Sequence, residues 1–148
     1  MTKVLFLCVH NSARSQMAEA FMKKYGAGRF EAESAGLEPG KLNPYVIRAM
    51  REKGIDISGN PTKSVFDLFN AKKVYQVVVS VCSKEAADKC PIFPGLSEKL
   101  HWPFSDPSTF TGSDEEIMEQ VRQVRDRIEE AVKDFAARFG RGSEAGLT

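Results

Sequence analysis

Residues 4–15 read VLFLCVHNSARS, an apolar run followed at once by a cysteine, a short polar loop and an arginine. The continuous apolar run predicts a strand that is buried on both faces. Apolar residues recur at helical spacing after the loop, so Arg14 and Ser15 are predicted to open a helix. Unpaired backbone N–H groups and the positive end of the helix dipole make such a turn an anion site.

The two ends of this loop carry side chains suited to nucleophilic chemistry. Cys8 ends the strand and Arg14 begins the helix. A guanidinium offers a planar, bidentate donor to a tetrahedral oxyanion, and the same positive field favours a cysteine as its nucleophilic thiolate. We therefore predict that Cys8 is a nucleophile beside an oxyanion-binding loop, which consists of Val9, His10, Asn11, Ser12, Ala13 and Arg14.

The composition is that of one ordinary globular domain. The chain has 148 residues, of which 42% are hydrophobic and 28% are charged. We predict a single domain over residues 1–139 and a polar tail, residues 140–148, that we expect to be disordered. The net charge of +1 argues against nucleic acid or a membrane surface as a partner. We further expect a cytoplasmic protein, because the apolar start lacks a basic region and a cleavage site.

The number of cysteines indicates that the thiols have a chemical rather than a structural role. Three cysteines without a signal peptide do not predict a structural disulfide framework, so the thiols are expected to be catalytic, redox-active or metal-bound. No paired spacing such as Cys-x2-Cys is present, and a zinc site is therefore not predicted.

Strands and helices alternate along the chain. Strands are predicted at residues 3–8, 29–35, 74–81 and 100–104, and helices at 12–24, 43–53, 65–70 and 83–89. A capping box, Ser113-x-x-Glu116, begins a long amphipathic helix whose apolar stripe reaches Phe139. This order predicts an α/β domain with a parallel sheet covered on both faces.

Three chemically interesting residues follow predicted strands. They are Cys8, Cys82 and Asp106. Because ligands of such sheets bind at the carboxyl ends of the strands, we expect all three at one edge. Asp106 is then a candidate general acid, which must lie within hydrogen-bond reach of a leaving group.

The arrangement Cys8-x5-Arg14-Ser15 with a late Asp106-Pro107 resembles the low molecular weight protein tyrosine phosphatases. The further features Cys82, Cys90-Pro91, residues 34–36 (SAG) and residues 101–107 (HWPFSDP) resemble the thioredoxin-coupled arsenate reductase branch. The resemblance covers residues 3–139. It implies a three-layer α/β sandwich with a four-stranded parallel sheet in the order 2-1-3-4.

The resemblance also implies a relay of three thiols. Cys8 would attack arsenate while Arg14 bridges its oxygens and Asp106 protonates the leaving oxygen. Cys82 would then attack the Cys8 adduct and release arsenite. Cys90 would resolve the resulting Cys8–Cys82 disulfide, and thioredoxin would reduce the Cys82–Cys90 bond. Phosphate and sulfate would bind as mimics of arsenate, and we expect a monomer with no tightly bound cofactor.

Further roles are implied for residues in and beside the loop. Asn11 would hold the loop shape, and Ser15 would hydrogen-bond the Cys8 thiolate. Val9-His10 departs from the Thr/Leu-Gly that follows the cysteine in many members of the family. Since a residue other than glycine restricts the backbone there, we expect His10 to tune the cradle. Both histidines, His10 and His101, are otherwise predicted to be structural.

Some of these reductases bind potassium beside the loop. Asn11, Glu19 and Ser34 match three of the expected ligand positions, whereas Ser64 stands where an aspartate is expected. A structural potassium ion is therefore not predicted with these residues.

The spacing of Cys82 and Cys90 sets a geometric problem. Eight residues of helix separate two positions by roughly 12 Å, whereas a disulfide needs Cα atoms within about 4.4–6.8 Å. We hypothesise that segment 83–90 unwinds when these thiols bond and carries the disulfide outward to thioredoxin.

Two other function classes share the loop. A protein tyrosine phosphatase would form a phosphocysteine at Cys8 that water hydrolyses, and it would need no further thiol. A non-catalytic sensor would use the thiols to detect an oxyanion or a redox change, without catalytic turnover. The extra cysteines favour the reductase.

Overall fold

A computed structural model describes residues 1–147 of the chain and the side chains of residues 1–139. The elements are β1 (Thr2–Cys8), α1 (Arg14–Tyr25), β2 (Phe30–Gly36), α2 (Pro44–Arg51), α3 (Val65–Asn70), β3 (Val77–Ser80), α4 (Lys84–Ala87), β4 (Glu98–His101) and α5 (Asp114–Leu147). A 3₁₀ turn, Pro107–Thr109, lies between β4 and α5. Within residues 1–147, no helix combines the length and the apolar character needed to cross a membrane.

The four strands form one parallel sheet in the order β2-β1-β3-β4. Strand β1 is central, with Cys8 opposite Gly36 of β2 and Val4 opposite Val77 of β3. The apolar run of residues 4–7 is fully buried, as expected for a strand with helices on both faces. The predicted α/β class, the parallel sheet and the strand order 2-1-3-4 are confirmed.

Alternate residues of β1 serve two separate cores. Val4 and Phe6 pack with helices α1, α2 and α5 on one face of the sheet. Leu5 and Leu7 pack on the other face with α3 and with Phe93 from the segment before β4. The sheet is thus the middle layer of a three-layer sandwich, and its two faces bury different parts of the chain.

Two of the strands, β3 and β4, differ from the prediction by more than one residue. Strand β3 begins at Val77, because Val74 is exposed to solvent and lies before the pairing with β1. The fourth strand spans Glu98–His101 rather than residues 100–104. Its last ladder bond runs from Trp102 N to Ser80 O (2.8 Å), and Pro103 has no N–H to continue the ladder. The predicted tail, residues 140–148, lies beyond the described side chains and stays a prediction.

The capping box at the start of α5 has both of its reciprocal bonds. Glu116 N donates to Ser113 Oγ (3.2 Å), and Ser113 N donates to Glu116 Oε1 (3.4 Å). The apolar stripe that follows is buried against α1 and α2, and it includes Val121, Val124, Ile128, Val132 and Phe135. This packing anchors the helix that covers one face of the sheet.

We expect Ser113→Ala to lower the free energy of unfolding by about 1 kcal/mol, because it removes the acceptor for the N–H of Glu116. Urea unfolding followed by circular dichroism measures the change. Ser113→Asp retains an acceptor at the cap and is the matched control, so equal destabilisation by both substitutions would contradict the capping role.

Candidate active site

The loop after β1 lies directly against the end of β2. Three backbone bonds join them: Leu37 N to Cys8 O (3.2 Å), Glu38 N to Val9 O (2.8 Å) and Gly40 N to His10 O (2.9 Å). A Cβ atom at Gly36 would lie 2.6 Å from Val9 O and 2.7 Å from Asn11 N. Only glycine permits this close approach, so Gly36 fixes the distance between the loop and β2.

Asn11 is the centre of a buried hydrogen-bond network beneath the loop. Its backbone has φ 54°, a left-handed conformation that asparagine tolerates better than most residues. Its Nδ2 donates to Ser15 Oγ (2.8 Å) and Ser34 Oγ (2.9 Å), and its Oδ1 accepts from Lys63 N (2.9 Å). The side chain thereby ties the loop to α1, to β2 and to the segment before α3.

The Cys8 thiol is 2% exposed and has two hydrogen-bonding neighbours. Ser15 Oγ lies 2.8 Å from Cys8 Sγ, and Asn11 N donates to the sulfur at 3.2 Å. Because Ser15 Oγ already accepts from Asn11 Nδ2, its own proton is available to the sulfur. Two hydrogen-bond donors are thus directed at the Cys8 sulfur from the loop and from α1.

Arg14 connects the loop to the segment before the 3₁₀ turn. Its Nη1 donates to Phe104 O (3.1 Å), and its Nη2 lies 3.6 Å from Asp106 Oδ2. The other Asp106 oxygen accepts from Ser108 N (2.9 Å), which orients the carboxylate. The structure therefore brings Asp106 beside the guanidinium that is predicted to hold the oxyanion.

Cys82 lies at the same edge of the sheet and is 1% exposed. Burial raises the pKa of the Cys82 thiol, the negative charge of Cys8 raises it further, and the guanidinium of Arg14 lowers it. Cys82 thus lies within electrostatic range of both ends of the loop. It packs with the core that also contains Cys8.

Cys90 occupies a different environment. It packs against the core on the opposite face of the sheet, beside Leu7 and Phe93. Burial raises the pKa of the Cys90 thiol to about 11, the ammonium of Lys99 lowers it, and the charge of Cys82 raises it. All three cysteines are free thiols, and Cys82 and Cys90 belong to opposite faces of the sheet.

The residues that match the potassium ligands of the family do not fit a cation here. Ser34 Oγ donates to Glu19 Oε1 (2.6 Å), and Lys23 Nζ donates to the other oxygen, Glu19 Oε2 (2.7 Å). Asn11 presents its amide nitrogen to Ser34, since Lys63 N fixes its oxygen on the other side. Ser64 Oγ accepts from Phe66 N as a helix cap (3.2 Å). An ammonium therefore already neutralises the one carboxylate of this cluster.

We expect the thermal unfolding midpoint to be the same in potassium and in sodium chloride at equal ionic strength, because Lys23 supplies the positive charge at Glu19. Differential scanning calorimetry measures it. Lys23→Met removes the ammonium and is the comparison variant. Stabilisation of the unsubstituted protein by potassium alone would contradict this interpretation.

Several residues that build the site were not found from the sequence. Gln16 is 1% exposed and donates from Nε2 to Asn11 O (3.1 Å) and Pro61 O (3.0 Å). The carbonyl of Phe104 and the N–H of Lys63 also contribute through the backbone. The sequence does not distinguish a polar helix residue that supports the loop from one that faces solvent. It also does not show which backbone groups form hydrogen bonds with the loop.

The site geometry agrees with comparisons to known proteins. Residues 3–145 match the sequence profile described as "Low molecular weight phosphotyrosine protein phosphatase". The chain belongs to this family. An arsenate reductase of Halalkalibacterium halodurans is 44% identical over 133 residues, covering 90% of this chain and 94% of the relative.

Solved structures of the family agree with this relationship. One, an arsenate reductase in the phosphate binding state, has a TM-score of 0.73 and 35% identity, with 93% of this chain and 98% of that chain covered. The thioredoxin-dependent arsenate reductase of Corynebacterium glutamicum has a TM-score of 0.62 and 27% identity, with 90% of this chain and 62% of that chain covered. The resemblance stated from the sequence is confirmed.

Proposed function

We propose that this protein reduces arsenate to arsenite through a relay of its three thiols. The observation that carries the proposal is the second buried thiol, Cys82, at the same sheet edge as Cys8 and within electrostatic range of it. A phosphatase needs only the first thiol. The relatedness to arsenate reductases supports the same reaction.

The first step uses the loop as an oxyanion cradle. The Cys8 thiolate attacks arsenic, while Arg14 and the backbone N–H groups of the loop neutralise the arsenate oxygens. Asp106 protonates the oxygen that leaves as water. The support for this role is the 3.6 Å contact of Asp106 with Arg14, which keeps the carboxyl beside the bound oxyanion.

The second step moves two electrons onto arsenic. The Cys82 thiolate attacks Cys8 Sγ, the sulfur–arsenic bond breaks, and its electron pair stays with arsenic, which leaves as arsenite. Burial raises the pKa of Cys82, and the guanidinium of Arg14 partly opposes this effect. The product on the enzyme is a Cys8–Cys82 disulfide.

The third step returns Cys8 to its starting state. Cys90 attacks Cys82 Sγ, Cys8 leaves as a thiolate stabilised by Ser15 and Asn11, and a Cys82–Cys90 disulfide forms. An external dithiol then supplies two electrons. A thioredoxin-dependent relative supports thioredoxin as this reductant.

Phosphatase activity is the second candidate function, because the family as a whole is described by that activity. The loop would bind phosphate in the same way as arsenate, and water would hydrolyse a phosphocysteine. However, the segment after Asp106 reads PSTF and carries no tyrosine to hold an aromatic phosphoester. We expect phosphatase activity to be weak.

A single turnover with arsenate tests the relay. In Cys90→Ser, we expect one equivalent of arsenite and a stable Cys8–Cys82 disulfide, because the resolving thiol is missing. Cys82→Ser should release no arsenite and keep any phosphatase activity. Peptide mapping by mass spectrometry, together with arsenite quantification, measures both results. Multiple turnover by Cys82→Ser with thioredoxin would contradict the relay, and a chain that forms no arsenite at all would contradict arsenate reduction.

We expect disulfide formation between Cys82 and Cys90 to unwind the segment between them, because the two thiols belong to cores on opposite faces of the sheet. The bonds lost would include Ala87 N to Ser83 O (2.9 Å) and Cys90 N to Ala87 O (3.1 Å). Hydrogen exchange of segment 83–90 should be faster in the Cys82–Cys90 oxidised protein than in the reduced one, with peptides of α5 as the control. Identical protection in both forms would exclude the switch.

A further inference from the structure

The carbonyl groups of residues 8–13 each accept a hydrogen bond. Four of the donors are backbone N–H groups of one segment, residues 37–43, which we call the outer wall of the loop. The other two are Gln16 Nε2 and Met17 N. In a trans peptide the C=O and N–H bonds point in opposite directions. Carbonyls that are bonded outward therefore leave the N–H groups of the loop directed towards an anion.

The outer wall follows the loop residue by residue. Besides the three bonds to Cys8, Val9 and His10 given above, Asn43 N donates to Ser12 O (3.0 Å). The wall is interrupted at Pro39, which has no N–H to donate. At this point the backbone alone cannot join the two segments.

His10 supplies a bond at the interruption. Its Nδ1 lies 2.9 Å from Glu38 O, the carbonyl that precedes Pro39. A carbonyl oxygen can only accept, so the ring nitrogen is the donor, and it can donate in the neutral and in the charged imidazole. The loop thus returns one hydrogen bond to the wall that holds it.

The bond of His10 is connected to the buried network beneath the loop. A Cβ atom at Gly40 would lie 3.5 Å from His10 Cβ, so the histidine side chain lies against the wall at this residue. Gly40 O accepts from Thr62 Oγ1 (2.7 Å), and the next residue, Lys63, donates its N–H to Asn11 Oδ1. The same short segment therefore fixes the loop from inside through Asn11 and the outer wall that His10 contacts.

The backbone at residue 10 does not require glycine, although glycine occupies this position in many members of the family. Among residues 1–147, the residues other than glycine that have a positive φ are Asn11 and Lys72. His10 therefore carries its side chain without left-handed strain. A glycine here would lose the donor to Glu38 O and would leave the free loop more conformational freedom.

We propose that His10 is a positioning residue for the oxyanion, because its imidazole holds the outer wall against the loop. This keeps the loop carbonyls bonded and the loop N–H groups available to the anion. The inference deepens the proposed function and rests on the loop being the oxyanion site. If the bond is lost, the loop adopts this arrangement in a smaller fraction of molecules, and the apparent affinity falls by that fraction. The later thiol exchanges do not use His10.

The test uses inorganic phosphate as the probe, so that binding is measured without turnover. The reduced protein is alkylated with iodoacetamide at increasing phosphate concentrations, and the modification of Cys8 is followed by peptide mapping. Peptide mapping separates Cys8 from Cys82 and Cys90. The phosphate concentration that halves the Cys8 rate gives the dissociation constant.

Four variants separate the hydrogen bond from other effects. His10→Ala and His10→Gly both remove the donor, and the second places the common family residue in the loop. His10→Asn carries an amide N–H close to the position of Nδ1 and can still donate to Glu38 O. Glu38→Gln is the matched control, because it removes the carboxylate beside the imidazole and retains the backbone carbonyl.

We expect His10→Ala and His10→Gly to bind phosphate about three- to tenfold more weakly, the range for one hydrogen bond that is partly replaced by water. His10→Asn should recover most of this loss, and Glu38→Gln should show no loss. In arsenate turnover with thioredoxin, KM for arsenate should rise by the same factor in His10→Ala, while kcat changes by less than about twofold.

Three results would overturn the proposal. They are unchanged phosphate binding in His10→Ala and His10→Gly, a His10→Asn variant that binds no better than His10→Ala, and a fall in kcat at unchanged KM. Circular dichroism verifies the fold, and His10→Gly provides the comparison if His10→Ala does not fold. A protein that reduces no arsenate would contradict the proposed function, whereas the phosphate measurements would still decide the role of His10.

Discussion

The Asn11 side chain is the interaction on which the active site depends. One buried amide holds α1 through Ser15, β2 through Ser34 and the segment before α3 through Lys63 N. It also accounts for the left-handed backbone at this position, whose strain must be offset by the surrounding bonds. The backbone of the loop is thus held in place by the fold before any anion binds.

The two-sided sheet separates the three thiols. Cys8 and Cys82 belong to one core, whereas Cys90 packs against the other. The proposed last exchange, between Cys90 and Cys82, would therefore require a local rearrangement, and the short helix α4, with only four residues, lies between these two thiols in the chain.

Much of the fold could be predicted because each of several elements can be identified from the sequence of a single segment. The apolar run of β1, the capping box at Ser113 and the stripe of α5 each depend on neighbouring residues alone. The position of the fourth strand was wrong because Leu100 and Phe104 suggested a strand, whereas pairing with Ser80 and the missing N–H of Pro103 decide where it ends. Cys8 and Arg14 could be predicted as site residues because they lie between a strand and a helix. The contributions of Gln16, Lys23 and the Phe104 carbonyl arise only from tertiary contacts.

Arg14 joins the loop to the segment that carries Asp106. In the structure its guanidinium holds Phe104 O and approaches Asp106, and both belong to the segment that closes the far side of the loop. A guanidinium has five N–H donors, so Nη1 can keep the Phe104 carbonyl while other N–H groups turn to an oxyanion. In the proposed reaction, the bound anion would then replace Asp106 as the main counter-charge of Arg14.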